Sequence, residues 1–236
     1  MEDLDTLSAE ASTVVLSLPD GAASTAVAER LGGAVTHVVD TSTIGVEAAQ
    51  RVDDLLADAG IAYVDAPVSG GVAGARARTL TVMVAGAPAA VEAVEPVLAG
   101  LSDRRFVVGD RPGLGQALKL ANNFLSATAL AATSEALAFG TAVGLDPTTM
   151  LEVLNVSSGQ SAASRDKFVD HVLPERYASG FANTLMAKDV GLYLEAARAA
   201  ATPTALGTLT DEVWRRFAEV EPDADFTRIY PYTRDG

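Results

Sequence analysis

The stretch Gly113-Leu-Gly-Gln-Ala-Leu-Lys-Leu-Ala-Asn-Asn123 lies where the character of the chain changes. Its two glycines follow a short apolar run, Phe106-Val-Val108, that is typical of a strand. The alanine- and leucine-rich sequence after them predicts one long helix from about residue 114 to about residue 143. Few polar side chains interrupt this helix, so we expect it to be buried almost all round.

Lys119 and Asn123 are four residues apart on the predicted helix, so they project from one face, about 6 Å apart. An amine beside an amide can hold one hydroxyl or carbonyl oxygen between them. The chain has three lysines and fourteen arginines, which together make its 17 basic residues. Arginine cannot release its proton, whereas a desolvated lysine can act as acid and base near neutral pH. A solvated surface lysine is the alternative.

The composition narrows the classes of function. With 236 residues, a formal net charge of −14 and a pI near 4.4, the acidic chain disfavours nucleic acid and anionic membranes as partners. No apolar run approaches the ~20 residues of a membrane span, and the first residues are acidic, unlike a signal peptide. There is no cysteine, and the two histidines lack metal-ligand spacing. We therefore expect a cytoplasmic protein with no metal site.

Strand and helix patterns alternate before Gly113. Apolar, β-branched runs predict strands at 13–18, 37–40, 61–65, 79–85 and 105–108, while helical patterns occupy 22–31, 46–59 and 88–98. A polar stretch, 1–12, is predicted to be a frayed helix. This alternation predicts an α/β domain over residues 1–111 with a largely parallel sheet.

Strand patterns disappear after the glycines. Helices are predicted at 114–143, 147–156, 161–173, 182–201 and 204–220, and Asp146-Pro147 has the residues of a helix start. Residues 112–236 are therefore predicted to form an all-helical domain.

Three loops follow predicted parallel strands, at the sheet edge where α/β proteins bind ligands. They contain Leu18-Pro19, Ser42-Thr43 and Ser69-Gly70-Gly71. The last exposes successive backbone N–H groups and could cradle a carboxylate. Each also has a purely structural interpretation, as a flexible turn or a helix N-cap.

Lys188 and Asp189 interrupt another apolar helical pattern. Taken alone, they could form a local ion pair of little energetic value with an exposed carboxylate. Together with the loops and Lys119, they form a more specific combination.

The combination resembles the β-hydroxyacid dehydrogenase family, most closely its 3-hydroxyisobutyrate dehydrogenase branch. The resemblance runs in order from about residue 13 to about residue 227. It rests on these motifs: Asp40-x-Ser-Thr-Ile44, Asp65-Ala-Pro-Val-Ser-Gly-Gly-Val-Ala-Gly-Ala75, Gly113-x-Gly-Gln-x-x-Lys-x-x-Asn-Asn123, Asn155-Val-Ser-Ser-Gly159 and Met186-Ala-Lys-Asp-x-Gly-Leu192.

The resemblance implies a Rossmann-like cofactor domain followed by a helical substrate and dimerisation domain, with NAD or NADP as cofactor. It implies that Lys119 is the catalytic acid and base and that Asn123 orients the substrate hydroxyl. Ser69, Gly70 and Gly71 would hold the substrate carboxylate, and the residues along the cofactor would be Leu18, Pro19, Thr43 and Lys188. The expected reaction is oxidation of a small β-hydroxy acid or reduction of its semialdehyde.

The sequence departs from the family at its start, where the strand, Gly-x-Gly-x-x-Gly loop and helix are missing. We therefore expect a truncated Rossmann-like domain, in a shortened version of a working enzyme, that binds dinucleotide poorly in this form. The alternative is a cofactor-deficient, non-catalytic fragment that serves as a helical dimerisation or metabolite-binding module. A homodimer or higher homo-oligomer is expected in either case, because long alanine-rich helices need a partner surface.

Related activities remain open alternatives. Tartronate or succinic semialdehyde reductases are the nearest. The resemblance is weaker to 6-phosphogluconate dehydrogenase, which has histidine where Asn122 stands, and to imine reductases, which lack the lysine at position 119.

Overall fold

The computed structural model describes residues 4–236, which form two compact units divided at Ala121 and Asn122. The division falls inside a single long helix, Leu114–Ala142. The domain limits inferred from the sequence, 1–111 and 112–236, stay a prediction. The first three residues of the polar N-terminal stretch lie outside the described residues, and the rest of it contains a short helix, Leu4–Glu10.

The first unit alternates strands and helices, as predicted. In chain order its elements are α1 (Leu4–Glu10), β1 (Thr13–Leu16), α2 (Gly21–Ala28), β2 (His37–Asp40), α3 (Val46–Asp58), β3 (Ala62–Asp65), β4 (Val68–Ser69), α4 (Gly71–Ala77), β5 (Thr81–Ala85), α5 (Pro88–Ala93), α6 (Glu95–Leu101) and β6 (Arg104–Gly109). The first turns of α7 (Leu114–Ala142) complete it.

The six strands form one sheet in which β1, β2 and β3 are parallel neighbours. Their register places Asp40 beside Asp65 at the carboxyl ends of β2 and β3. The sheet is largely parallel, as predicted, and the exception is β5, which runs antiparallel to β3 and β4. A parallel connection takes about a dozen residues or more to carry the chain back along a strand, whereas residues 70–80 turn back at once through α4. The last strand, β6, is parallel to β5.

Apolar side chains pack on both faces of this sheet. One cluster joins the sheet to α2 and α3 through residues such as Val38, Val52 and Leu56. The other joins it to α5 and α6 through residues such as Val84 and Leu98. Burial on both faces explains why β2, β3 and β5 contain continuous apolar runs.

The second unit is helical. After α7 it contains α8 (Pro147–Leu154), a π-helix (Ala163–Val172), α9 (Asn183–Ala199), α10 (Ala205–Val220), a short 3₁₀ turn (Phe226–Arg228) and α11 (Ile229–Asp235). Its core includes Trp214, Phe168 and Phe217, all fully buried. Asp146 caps α8 by accepting a hydrogen bond from the Thr149 N–H at 2.8 Å, as the Asp-Pro pair predicts. An α/β unit followed by a helical unit confirms the predicted fold class.

The expectation that α7 is buried almost all round is wrong for one face. Leu118, Leu125 and Phe139 are 45%, 65% and 68% exposed. An apolar side chain indicates that a surface avoids water, but it cannot tell packing within the chain from packing against another molecule.

Among residues 4–236, no helix has both the length and the hydropathy needed to cross a membrane.

Candidate active site

The N-terminus of α7 is held by the side chain of Asp65, which lies at the end of β3. One carboxylate oxygen, Oδ2, accepts the N–H of Gly113 at 2.8 Å and the N–H of Gln116 at 3.1 Å. These backbone N–H groups have no partner within the helix, so a carboxylate there stabilises its first turn. Gly113 has a φ of +92°, which favours glycine. At Gly115, a Cβ atom would lie 2.5 Å from the Met83 carbonyl oxygen.

The Asp65 carboxylate is fully buried, and its environment is electrostatically unfavourable for a negative charge. Burial raises the pKa of Asp65 from 3.8 to about 6, although hydrogen bonds from Gln116 and Gly113 act in the opposite direction. The neighbouring charge of Asp40 adds to the rise. Two buried carboxyl groups therefore lie side by side at the edge of the sheet where ligands bind.

Asp40 organises the loops after β1 and β2. Its Oδ1 atom accepts the Ser42 N–H at 2.9 Å, and the Ser42 hydroxyl accepts the Leu18 N–H at 2.7 Å. Its Oδ2 atom accepts the Tyr63 hydroxyl at 3.3 Å. Burial, followed by the charges of Asp40 and Asp65, raises the pKa of Tyr63 well above its ordinary value. The loops that carry the predicted cofactor residues Leu18 and Thr43 are thus tied to each other.

The predicted carboxylate cradle spans the end of β4 and the start of α4. Ser69 is half-buried, whereas Gly70 and Gly71 are exposed. Their φ angles are +129° and +60°, in the region that favours glycine. A side chain at Gly70 would also contact Leu80 at 3.2 Å. The backbone of this turn therefore needs glycine, and its two exposed glycines leave the approach open.

Lys119 and Asn123 both lie on buried positions of α7, one helical turn apart. Lys119 is 8% exposed and Asn123 is 6% exposed. In the second unit the Asn123 Nδ2 group donates a hydrogen bond of 2.6 Å to Asp189 Oδ2. The Asn122 amide donates to Asn123 Oδ1 at 3.0 Å. An amide has two N–H donors and two acceptor lone pairs, so one of each remains on Asn123 for a substrate oxygen.

Lys188 forms an ion pair with Asp189, whose Oδ1 atom lies 3.3 Å from the lysine nitrogen. The sequence alone left open a local pair with an exposed carboxylate. Asp189 is in fact buried, and it also accepts the Asn123 amide. A single carboxylate therefore orients both of the predicted site residues in the second unit.

The predicted site residues are distributed over both units. The first unit contains Leu18, Pro19, Thr43, Ser69, Gly70, Gly71 and Lys119, and the second contains Asn123 and Lys188. The sequence assigned no role to the supporting residues Asp40, Asp65 and Gln116, and it considered Asp189 only together with Lys188, as an interruption of an apolar helix. Their positions were nevertheless unusual: Asp40 and Asp65 end buried strands, and Gln116 and Asp189 are polar residues within apolar helices.

Comparison with known proteins identifies the class as an NAD(P)-dependent dehydrogenase. A family model described as the NAD-binding domain of 6-phosphogluconate dehydrogenase matches residues 1–109. A second, described as NAD-binding of NADP-dependent 3-hydroxyisobutyrate dehydrogenase, matches residues 113–233.

The individual relatives are named as dehydrogenases of hydroxy acids. The chain is 35% identical to 2-(hydroxymethyl)glutarate dehydrogenase of Eubacterium barkeri over 219 residues, 90% of this chain and 72% of that protein. It is 39% identical to 3-hydroxyisobutyrate dehydrogenase of Pseudomonas aeruginosa over 201 residues, 81% of this chain and 67% of that protein. The Mycobacterium tuberculosis 3-hydroxyisobutyrate dehydrogenase structure with L-serine matches with a TM-score of 0.91 and 29% identity, covering 99% of this chain and 83% of that one.

The chain therefore belongs to the β-hydroxyacid dehydrogenase family, as its motifs predict. It spans between 61% and 72% of the length of the curated relatives it matches.

Proposed function

We propose that this chain catalyses the NAD(P)-dependent oxidation of a small β-hydroxy acid resembling 3-hydroxyisobutyrate, or the reverse reduction of its semialdehyde. The observation that carries the proposal is the pair of buried polar side chains on α7, Lys119 and Asn123, one turn apart. Lysine is seldom buried, and a buried lysine often serves as an acid or a base in catalysis.

Lys119 is assigned as the general base in the oxidation direction. The amine of a lysine can release and accept a proton, whereas the guanidinium group of an arginine cannot. The amine nitrogen accepts the proton of the substrate hydroxyl as the carbon–oxygen double bond forms. In the reduction direction, the ammonium group returns that proton to the oxygen. Asn123 orients the same oxygen through the hydrogen-bonding capacity that Asp189 and Asn122 leave on its amide.

Ser69, Gly70 and Gly71 are assigned to the substrate carboxylate. The exposed glycine backbone offers N–H donors without side-chain obstruction. A hydroxyl fixed at one end and a carboxylate fixed at the other restrict the substrate to small acids in which a short carbon chain joins the two groups.

A nicotinamide cofactor bound here would supply the acceptor for the hydride that leaves the carbon carrying the hydroxyl. The residues present fit its binding along the sheet edge, where the loops with Leu18, Pro19 and Thr43 follow parallel strands and are fixed through Ser42. Lys188 is assigned to the same cofactor. The sequence contains no Gly-x-Gly-x-x-Gly loop, so no residue is assigned to the pyrophosphate.

The proposal is tested by following nicotinamide reduction with NAD⁺ and with NADP⁺. The substrates are 3-hydroxyisobutyrate, L-serine and 2-(hydroxymethyl)glutarate, because proteins similar to this chain are named for activity on them. Turnover of at least one acid is expected. Absence of turnover with all three, together with absence of calorimetric binding of either cofactor, would favour the non-catalytic module, an alternative that the relatives do not support.

We also propose that the exposed stripe of α7 packs against a second copy of the chain. Leu118, Leu125, Ala132 and Phe139 recur at intervals of seven, and on this 29-residue helix only Lys119 and Glu135 are charged. A seven-residue repeat keeps apolar side chains on one face, as two-stranded helix packing requires.

Sedimentation of the wild-type chain should give a dimer or a larger assembly. Phe139→Glu should shift it towards monomer, whereas Val156→Glu, at an exposed apolar position off the stripe, should not. A wild-type monomer at micromolar concentration would refute the proposal. The cytoplasmic location stays a prediction.

A further inference from the structure

The side chain of Gln116 is fully buried and makes a hydrogen bond with every donor and acceptor it has. Its Oε1 atom accepts the N–H of Ile44 at 2.9 Å and the N–H of Gly45 at 3.2 Å. Its Nε2 group donates to the Ser42 carbonyl at 3.0 Å and to Asp65 Oδ1 at 2.9 Å. All four partners are more than fifty positions away in the sequence.

These partners fix the orientation of the amide and the identity of the residue. Two backbone N–H groups require an oxygen on one side, while a carbonyl and a carboxylate require a double donor on the other. Glutamate has the same shape as glutamine but cannot donate when ionised. Methionine has a similar volume but can replace none of the four hydrogen bonds.

Three of the four hydrogen bonds connect the loop that carries the predicted cofactor residue Thr43 to the helix that carries Lys119. Ser42 and Ile44 flank Thr43, so both neighbours of this cofactor residue are held by one amide. Lys119 lies three positions after Gln116 on the same helix, about 60° short of one full turn from it. A shift of the Ser42–Gly45 loop would therefore be a shift of the cofactor relative to the general base.

We propose that Gln116 is a positioning residue that sets the Thr43 loop against the turn of α7 that carries Lys119. The inference rests on the proposed function. It assigns to Gln116 no contact with substrate or cofactor. Asp65 remains bonded to the backbone N–H groups of Gly113 and Gln116 when the side-chain amide is removed, so the helix start is retained.

The test compares Gln116→Met and Gln116→Glu with Ser102→Ala as a matched control. Ser102 is also fully buried in the first unit, where its hydroxyl donates to the Leu80 carbonyl and accepts the Arg104 N–H. Removing it also deletes buried hydrogen bonds, at a position that has no proposed part in the reaction.

Gln116→Met should raise the KM for the cofactor about tenfold and lower kcat about tenfold, because misplacement by about 1 Å can cost that much or more. The KM for the hydroxy acid should change by less than about twofold, since the Ser69 turn has no hydrogen bond to Gln116. Ser102→Ala should leave both KM values and kcat unchanged. An equal loss of kcat in Gln116→Met and Ser102→Ala would overturn the inference. So would an equal rise in the KM for the cofactor and the KM for the hydroxy acid in Gln116→Met.

Hydrogen exchange gives a readout that does not require turnover. The Ile44 and Gly45 amides should exchange at least about tenfold faster in Gln116→Met than in the wild type, and not in Ser102→Ala. Unchanged exchange at both amides would overturn the inference. If the wild-type chain neither turns over nor binds cofactor, the proposed function fails, and the positioning role fails with it even when exchange shows that the amide holds the loop.

Gln116→Glu supplies a second variant should the methionine variant fail to fold. The titratable groups around this position are Asp65 and Tyr63 on β3 and Asp40 on β2. Protonation of the introduced carboxyl group restores a donor towards Asp65, so the deficit in kcat/KM relative to the wild type should shrink as the pH falls. A deficit that is constant or grows at lower pH would overturn the inference.

Discussion

The buried carboxyl group of Asp65 predicts a specific dependence of stability on pH. Its pKa is raised from 3.8 to about 6 in the folded chain, chiefly by burial. The folded state therefore holds this proton more tightly than the unfolded state does. The contribution of Asp65 to stability is fully present below about pH 4 and is lost as the pH rises through about 6. A difference of about two pKa units corresponds to about 3 kcal/mol.

Asp65→Asn isolates this contribution, because asparagine does not titrate. Its amide N–H would oppose the Gln116 amide, which shifts the free energy of unfolding by a constant that does not depend on pH. The wild-type free energy of unfolding minus that of Asp65→Asn should therefore fall by about 3 kcal/mol between about pH 4 and pH 7 and then level off. Urea unfolding followed by far-ultraviolet circular dichroism at each pH gives both values.

Asp225→Asn is the control of opposite sign. Burial acts to raise the pKa of Asp225, but hydrogen bonds from Thr227, Ser179 and Gly180 outweigh it and leave that pKa lowered. Its difference curve should rise with pH through the acid range, because a lowered pKa contributes stability above the unfolded value. A flat or rising curve for Asp65 would refute the reasoning that burial dominates at the start of α7.

Two further substitutions test the same region. Gly115→Ala should cost about 1–3 kcal/mol, because its Cβ would meet the Met83 carbonyl. Gly100→Ala, at a position in α6 where the added Cβ meets no atom, should be neutral or stabilising by up to about 1 kcal/mol. Thermal unfolding of the two variants tests this comparison, and equal changes in Tm for Gly115→Ala and Gly100→Ala would contradict it. Lys119→Met should lower kcat by about 10²–10⁴-fold, whereas Lys167→Met should leave it unchanged. Both values come from steady-state kinetics, and an unchanged kcat in Lys119→Met would show that Lys119 is not catalytic.

The sequence was sufficient for the parts of the fold that depend on local pattern. Apolar, β-branched runs predicted the strands β1 to β3, and Asp146-Pro147 predicted the start of α8, because these signals reside in neighbouring residues. The direction of β5 was not predictable in the same way. It depends on how quickly the chain turns after β4, which an apolar run does not encode.

The residues assigned to the reaction could be predicted from the sequence, but the residues that position them could not. Lys119 stood out as a lysine in an apolar helix, and the bare backbone of Gly70 and Gly71 stood out as a possible cradle. Gln116 is likewise a polar residue in an apolar helix, but its role could not be predicted, because that role depends on hydrogen bonds with residues 51 to 74 positions away. The exposure of one face of α7 was not predicted, because apolar residues do not show whether they pack within the chain or against another molecule.

A buried carboxyl group that is unfavourable at neutral pH needs a reason to stand at the start of α7. Its charge-assisted hydrogen bonds reach the Gly113 and Gln116 N–H groups and the Gln116 side chain, which in turn holds the loop around Thr43. Such bonds are directional, so they fix position as well as lower energy. The Asp65 carboxylate therefore lowers stability at neutral pH while it fixes the position of the helix start. Energetically costly arrangements of this kind are concentrated at functional sites. If Asp65→Asn is more stable at neutral pH yet slower in turnover, the carboxylate is there to hold the helix that carries Lys119.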